Sequence, residues 1–359
     1  MATLQAQPST ARKSGEITTT LRKVAKNYYL RRTLKAIASI FVVTTLTFFL
    51  IRLMPGNPLD IYINSQMVAL GISREEAETM AAAIFQIDLD RPIFLQYGDY
   101  LWGLLHGDFG LSIVSTRTPV SALILRFLPW TLFVVSVALV ASFTIGVLIG
   151  TIMAYKRNTW VDYLFTSFSS IMSAIPDFMV GTLIIVYCGV RWKWFSVTGV
   201  RGSLSPGMQP GWDIKFFLDA FYHAALPIVT LVICNVGPWM LQMRSSTMAT
   251  LGEDYVMVAK ARGLTEGRIT AGYVGRNALL PLFTTLAISI GGMFGGSVLI
   301  ESVFTYNGIG IKLASALGSR DYPVMQAVFI IITTATVSAN LFADFLYGWL
   351  DPRIRTEGR

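Results

Sequence analysis

Long apolar runs separated by short polar segments dominate the chain from residue 34 onwards. A transmembrane helix needs about 20 mostly apolar residues to cross a hydrocarbon core of roughly 30 Å. Six runs meet this requirement, and the third and the last are long enough to be tilted or to extend beyond the bilayer. The pattern therefore predicts an all-α, polytopic membrane protein with six transmembrane helices. The six runs are residues 34–53, 130–154, 161–190, 224–243, 279–304 and 324–350.

Composition supports this class of protein. Hydrophobic residues make up 53% of the 359 residues and charged residues only 14%, whereas soluble domains carry about 25% charged residues. The two cysteines, Cys188 and Cys234, lie far apart within apolar runs, so we expect neither a disulfide scaffold nor a metal site. The basic N-terminal segment lacks the apolar core of a cleavable signal peptide, so the first apolar run is expected to remain as a helix.

The distribution of lysine and arginine predicts the orientation. With the N-terminus on the cytoplasmic side, the inner segments carry seventeen Lys and Arg residues and the much longer outer segments carry ten. Enrichment of basic residues in short cytoplasmic loops is the positive-inside bias. Both termini are therefore predicted to be cytoplasmic. Because the basic residues are spread over the whole inner face, the net charge of +8 does not indicate nucleic-acid binding.

These predictions divide the chain into five parts. They are a cytoplasmic tail (1–30), transmembrane helix 1 (31–54), an extracytoplasmic loop region (55–128), a core with five transmembrane helices and a cytoplasmic loop at 245–276 (129–352), and a second tail (353–359). Within the extracytoplasmic region, Ser73 and Glu76 have the spacing of a capping box, which predicts a surface helix.

Motifs for catalysis are missing from the sequence. The only histidines, His106 and His223, have no partners at a catalytic or metal-binding spacing. The glycine-rich run at 291–296 lacks the Lys-Ser/Thr of a phosphate-binding loop, so we expect no catalytic, metal or cofactor site in this chain. Glycines four residues apart instead predict close helix packing. These glycines are Gly146, Gly150, Gly291, Gly292, Gly295 and Gly296.

Three ionisable residues fall within predicted spans, where charged groups are costly and often functional. Asp344 lies near the inner end of its span, and a structural role is the better interpretation. Glu301 lies near the outer end of its span, where a helix-end contact and a pathway role are both open. Pro176 removes a backbone donor and bends its helix, so the next residue, Asp177, either satisfies freed groups or lines a cavity. Pro176, Asp177 and Glu301 are thus candidate residues of a translocation path.

The polar segment between the fourth and fifth spans has the spacing of a short amphipathic helix. Acidic residues at 253–254 suit its N-terminus, and Gly263 can end it. Tyr255, Val258, Ala259 and Arg262 share one face. A helix lying on lipid is the alternative, but that helix would carry Leu, Phe or Trp on its apolar face. Contact with a protein partner is the better interpretation.

This segment also resembles a known family. Residues 254–264 and 276–281 are similar to the cytoplasmic loop of binding-protein-dependent ABC importer permeases, in the B-type subunit of the oligopeptide/dipeptide/nickel class. The loop reads Met257-Val258-Ala259 where the general permease loop has Glu-Ala-Ala, a departure typical of the peptide class. Further matching segments occur in the same order along residues 30 to 355: 52–58, 107–112, 301–304, 321–323 and 350–355.

The resemblance implies a type I ABC importer permease fold in a prokaryotic cytoplasmic membrane. It implies a heterodimer with a second permease subunit, two ATP-binding subunits that hold ATP and Mg, and an extracytoplasmic substrate-binding protein. It also implies that one short helix couples this chain to an ATPase subunit without catalysing anything. The residues so assigned are Glu253, Asp254, Tyr255, Val258, Ala259, Ala261, Arg262, Gly263 and Leu264.

Two other classes are compatible with six spans. A secondary transporter would require inverted repeats and paired ionisable residues near the midplane, and no such pairing is present in the sequence. An intramembrane enzyme would require a nucleophile with a base, or a metal set, which is also missing. Within the importer class, peptides are the expected cargo, and oligosaccharides, glutathione and nickel chelates are the alternatives.

Overall fold

The computed structural model describes residues 28–54, 58–84, 92–115 and 118–350, and these residues are mainly helical. Both predicted tails fall almost entirely outside the described residues. No strand forms in the described ranges, where a single isolated bridge pairs Leu111 with Pro119. The helices are α1 (Tyr28–Arg52), α2 (Pro58–Leu70), α3 (Arg74–Ile84), α4 (Ile93–Leu105), α5 (Val120–Tyr155), α6 (Trp160–Ala174), α7 (Asp177–Ile184), α8 (Ile214–Leu251), α9 (Asp254–Ala261), α10 (Glu266–Ile269), α11 (Arg276–Phe304), α12 (Ile309–Ser319) and α13 (Tyr322–Leu350).

Four of these helices, α1, α5, α8 and α13, are long and apolar enough to cross a membrane. Two bent helix pairs bring the number to six if each pair counts as one crossing, which agrees with the predicted number. Helices α5 and α8 contain 36 and 38 residues, or about 54 and 57 Å at 1.5 Å per residue. They are longer than the predicted runs because their polar ends continue the helix beyond the hydrocarbon layer.

The third predicted span is broken rather than continuous. Helix α6 ends before Ile175, which has extended backbone geometry, and α7 begins directly after Pro176. The two halves, Trp160–Ala174 and Asp177–Arg191, meet at 101°. The predicted bend at Pro176 is therefore confirmed, but residues 161–190 do not form a single straight helix. A π-helical stretch, Ile185–Arg191, completes the second half.

The region predicted as an extracytoplasmic loop is built mostly of helices α2, α3 and α4. The predicted capping box is present, because the Ser73 amide donates to Glu76 Oε2 (3.0 Å) and the Glu76 amide donates to Ser73 Oγ (3.3 Å). Helix α4 packs along α1, where Thr45 and Tyr97 share a hydrogen bond of 2.7 Å between their hydroxyls. The buried ring of Phe48 also packs against Tyr97.

The centre of the bundle is the interface between α5 and α8, which bury Val134, Leu231 and Trp239 together with residues of α11. Two glycines allow the two backbones to approach closely. A Cβ at Gly146 would collide with Trp239, and one at Gly150 would lie 2.8 Å from the Cβ of Met243. These two glycines therefore lie where α5 and α8 approach most closely.

Two ion pairs fix helices to the bundle. Arg244 of α8 holds the buried Asp162 of α6 with two bonds, Nε–Oδ1 at 2.6 Å and Nη2–Oδ2 at 2.8 Å. Arg32 of α1 pairs with Asp344 of α13 at 2.8 Å. The structural role predicted for Asp344 agrees with this contact, which joins the first and last described helices.

Candidate functional site

Charged residues at both ends of helix α9 stabilise it. Glu253 takes the N-cap position, Asp254 lies in the first turn and Lys260 in the last turn. Negative charge near a helix N-terminus and positive charge near its C-terminus both stabilise the helix dipole. The amides of Val256 and Met257 donate to the Glu253 carbonyl at 3.0 and 3.3 Å. The predicted helix over this segment is therefore present.

The end of α9 is set by Gly263, which has φ +74°. The Gly263 amide donates to the Lys260 carbonyl (2.9 Å) and the Leu264 amide to the Ala259 carbonyl (3.3 Å). These two bonds form a Schellman motif, which requires a left-handed residue and favours glycine. A Cβ at Gly263 would meet nothing within 4 Å. The helix end therefore faces open space on the surface of the chain.

Helix α9 packs on a small core of its own. Val256 and Ala259 are 0% and 2% exposed, and they pack with Ile269 of α10 and Val274. This core corrects one prediction, because Ala259 was assigned to the contact face for a partner. The helix turns Ala259 inward against its neighbours, so Ala259 positions α9 and is not accessible to another protein.

The outward side of α9 is apolar and exposed. Val258 and Met257 are each 56% exposed and Tyr255 is 39% exposed. Arg262 of the predicted face and Ala261, another residue assigned to the coupling helix, are also exposed. The predicted face did not include Met257, because the helical spacing places it next to that face and not on it. A short helix with this surface can bind a protein partner through apolar contacts.

The core of α9 is connected to the bundle at three points. Helix α8 runs into α9 through a single turn at Gly252. A π-helical stretch, Thr270–Gly275, leads directly into α11. The Thr270 hydroxyl donates to the hydroxyl of Tyr155 at the end of α5 (2.6 Å). A displacement of α9 would therefore be carried to the ends of three long helices.

The candidate path residues lie in two different environments. Pro176 is exposed and Asp177 is half-buried at the start of α7. Asp177 lies beside the thiol of Cys234 on α8, and a Cβ at Gly296 on α11 would be 3.9 Å from Asp177 Oδ2. Asp177 therefore stands at a junction of three helices and remains a candidate path residue.

Glu301 is fully buried and makes helix-end contacts. Its carboxylate accepts hydrogen bonds of 2.6 Å from the Thr131 hydroxyl and from the Gly310 amide at the start of α12. Thr131 Oγ1 in turn accepts from the Ile309 amide (2.8 Å). These contacts support the first of the two alternatives for Glu301, a structural contact at a helix end. Its enclosure removes it from the candidate translocation path.

The glycines of α11 fall into two groups. Gly291 is buried, and a Cβ there would collide with Thr336 of α13. Gly292 and Gly295 are exposed, with nothing within 4 Å of an added Cβ. Their predicted packing role is not fulfilled within this chain. The open face of α11 is defined by Ile288, Gly292, Gly295 and Leu299.

A buried carboxylate at Asp321 was not predicted as a functional residue. It accepts hydrogen bonds from the Ser112 hydroxyl and from the amides of Ile113 (3.1 Å) and Val114 (3.3 Å). Asp321 therefore fastens the segment after α4 to the bundle. Ser112 and Asp321 both belong to segments that resemble the family, 107–112 and 321–323. Sequence spacing alone could not pair residues so far apart.

Comparison with known proteins defines the class. Residues 146–356 match the family described as the binding-protein-dependent transport system inner membrane component. The chain belongs to this family. It is a multi-pass membrane protein and a permease subunit of an ABC importer.

Relatives match the chain over nearly its whole length. The oligopeptide transport system permease protein of Bacillus subtilis is 34% identical over 327 residues, which cover 91% of this chain and 98% of the relative. The dipeptide transport system permease protein of Escherichia coli K12 is 31% identical over 341 residues, with 91% and 98% covered. The glutathione transport system permease protein of Escherichia coli O1:K1 is 30% identical over 329 residues, with 92% and 99% covered.

Proposed function

We propose that this permease forms half of the translocation pathway of a peptide importer and that α9 transmits movement from a separate ATPase subunit. In this proposal both termini are cytoplasmic, an orientation supported by the uneven distribution of Lys and Arg. ATP and Mg are held by two ATPase subunits, because the sequence lacks a phosphate-binding loop. An extracytoplasmic binding protein delivers the cargo.

The main support for the coupling role is that α9 exposes an apolar face while its opposite side packs in a small buried core. Tyr255, Met257 and Val258 are exposed, while Val256 and Ala259 fix the helix from below. Exposed apolar groups on an otherwise polar segment indicate a protein interaction site. Because the core is rigid, force applied to this face moves the whole element, together with the ends of α8 and α11.

A second permease subunit completes the pathway in this proposal. The open face of α11 supports this arrangement, since its two glycines would allow another helix to approach closely. Asp177 stands beside Gly296 on the same helix. The pathway would then run along α7 and α11, with Asp177 as the polar residue nearest to it.

The proposed cargo is a di- or oligopeptide, by extension from the oligopeptide and dipeptide relatives. The glutathione relative is compatible with a peptide-like cargo, since glutathione is itself a short peptide. Oligosaccharides and nickel chelates are the alternatives within the same class. Uptake of labelled peptides by cells that carry the complete importer would distinguish these cargoes.

The coupling role is tested by Gly263→Arg. The substitution places a large side chain at φ +74° and projects it into the open space where the ATPase subunit would bind. We expect uptake and co-purification of the ATPase subunits to be lost, with membrane insertion unchanged. Gly267→Arg is a matched control, because Gly267 lies in the same loop and is equally open, and it should retain uptake.

Backbone strain at Gly263 is separated from partner contact by a second variant. Val258→Glu leaves the helix end intact but places a charge on the exposed face of α9. It should also release the ATPase subunits, while the thermal stability of the permease stays near that of the wild type. Wild-type uptake by both Gly263→Arg and Val258→Glu would rule out α9 as the coupling element.

A further inference from the structure

A cavity of about 900 Å³ opens at the end of the bundle opposite to α9. Its walls come from the N-terminal parts of α5, α8 and α12 and from the segment between α7 and α8. Arg126, on its wall, lies 29 residues from the far end of α5 at Tyr155. At 1.5 Å per residue this is about 44 Å, more than a hydrocarbon core of roughly 30 Å. With Tyr155 at the inner end of the predicted span, the Arg126 side of the cavity lies beyond the hydrocarbon layer, where a dissolved molecule can reach it, while Trp130 and Phe133 line its inner side.

Two basic side chains of this wall are held beside the same aromatic ring. Lys312 Nζ lies 4.5 Å from the centre of the Phe127 ring, and Arg126 Cζ lies 5.6 Å from it. Among the described residues, neither cation is in an ion pair with a carboxylate. Two cations beside the same ring, without an ion-pair partner among the described residues, attract an anion.

No aspartate or glutamate of the described residues lines the cavity. One carboxylate, Asp219, binds the lining residue Ser205 without being a lining residue itself. Asp219 Oδ1 accepts from the Ser205 hydroxyl (2.6 Å) and Oδ2 from its amide (2.8 Å). The buried His223 also lies near this carboxylate, 3.8 Å from Oδ1. Arg126 and Lys312 are the only charged residues among the described residues that line the cavity, so the lining itself carries a charge of +2.

The remaining wall is largely aromatic. The rings of Trp130 and Phe216 lie with their centres 6.2 Å apart, and Phe133 and Phe217 also line the cavity. Small-molecule sites are typically apolar cavities of about 300–1,000 Å³ with a few polar groups that fix orientation. Here the polar groups are the two cations together with Ser203, Ser205 and Asn307.

We propose that this cavity binds a small molecule that carries a carboxylate and an apolar or aromatic side chain, such as the C-terminal end of a short peptide. Arg126 and Lys312 hold the carboxylate, and the rings of Trp130 and Phe216 pack against the side chain. The identification of the ligand as a peptide rests on the proposed importer function. The cavity would then be an entry site for cargo on the extracytoplasmic side of this subunit.

The test is saturation-transfer NMR on the complete permease complex in nanodiscs, without the binding protein. The probes are alanyl-phenylalanine and its C-terminal amide. Loss of a charged hydrogen bond weakens binding by about tenfold or more. We expect a signal from the free acid that falls by about this factor for the amide and for the double variant Arg126→Gln/Lys312→Gln. The matched control, Arg191→Gln/Arg201→Gln, removes two exposed charges outside the cavity and should keep the signal.

Equal signals from acid and amide, or an unchanged signal from the double variant, would overturn the proposal. The experiment is repeated in nanodiscs of phosphatidylcholine with and without phosphatidylglycerol. Loss of peptide binding when the anionic lipid is added would assign the cavity to a lipid phosphate and would also overturn it. ATP-driven uptake of peptides by the wild-type importer is measured in parallel. Normal uptake without carboxylate-dependent binding refutes the entry site alone, whereas failure of all peptide uptake refutes the peptide importer.

Discussion

Closely spaced glycines occur at two places in this bundle, and the structure uses them differently. Gly146 and Gly150 of α5 are covered by α8, whose Trp239 and Met243 fill the space that a side chain would need. Gly292 and Gly295 of α11 have nothing within 4 Å of an added Cβ. The spacing therefore identifies a surface suited to close helix approach, but it does not tell whether the approaching helix belongs to the same chain.

The largest expected effect is at the closed interface. Gly150→Leu would force a side chain into the backbone of Met240 and within 2.8 Å of Met243, and overpacking of a buried interface costs about 1–3 kcal/mol or more. We expect the folded, monodisperse fraction in fluorescence-detected size-exclusion chromatography to be largely lost. Gly98→Leu is the control, since Gly98 of α4 is exposed and has no neighbour within 4 Å. Normal folding of Gly150→Leu would contradict the close α5–α8 contact.

The next effect should be on assembly rather than on folding. Gly295→Leu adds a large side chain to the open face of α11, where the second permease subunit is proposed to pack. The variant should fold with wild-type thermal stability, but co-purification of the second subunit should fall about tenfold, the loss that corresponds to 1.4 kcal/mol. Full association of the two subunits would mean that this face is not their interface.

The smallest expected effect is a difference in stability between the same substitution, to alanine, at the adjacent residues Gly291 and Gly292. Gly291→Ala places a Cβ 2.9 Å from the Cβ of Thr336 and should lower the free energy of unfolding by about 1–3 kcal/mol. Gly292→Ala meets nothing, so its effect should stay within about 1 kcal/mol and follow the higher helix propensity of alanine. Thermal unfolding in detergent measures both variants. Partial recovery of Gly291→Ala by Thr336→Ala would confirm the contact, and equal stabilities of the two single variants would refute it.

Features that depend on neighbouring residues in the sequence were predicted well. The capping box at Ser73 and Glu76 and the helix stop at Gly263 are both present. Each is set by backbone geometry and hydrogen bonds within a few residues, so the local pattern is sufficient. The apolar runs likewise located the spans, because hydropathy measures transfer of a segment into lipid.

Features that depend on distant partners were not predicted. Hydropathy does not report the direction in which a helix runs, so the sequence predicted only a bend where the structure has a 101° break between α6 and α7. Glu301 could not be assigned because its partner Thr131 lies 170 residues away. Ala259 was placed on the contact face by spacing alone, although its burial depends on Ile269 and Val274 in the following elements.

The contacts of α1 also bear on how the protein is made. Thr45 of α1 meets Tyr97 of α4 about 50 residues later in the chain, whereas Arg32 meets Asp344 only after roughly 300 residues. At about 5–20 residues synthesised per second, the second contact follows the first helix by about 15–60 s. The Arg32–Asp344 contact can therefore form only after most of the chain has been synthesised.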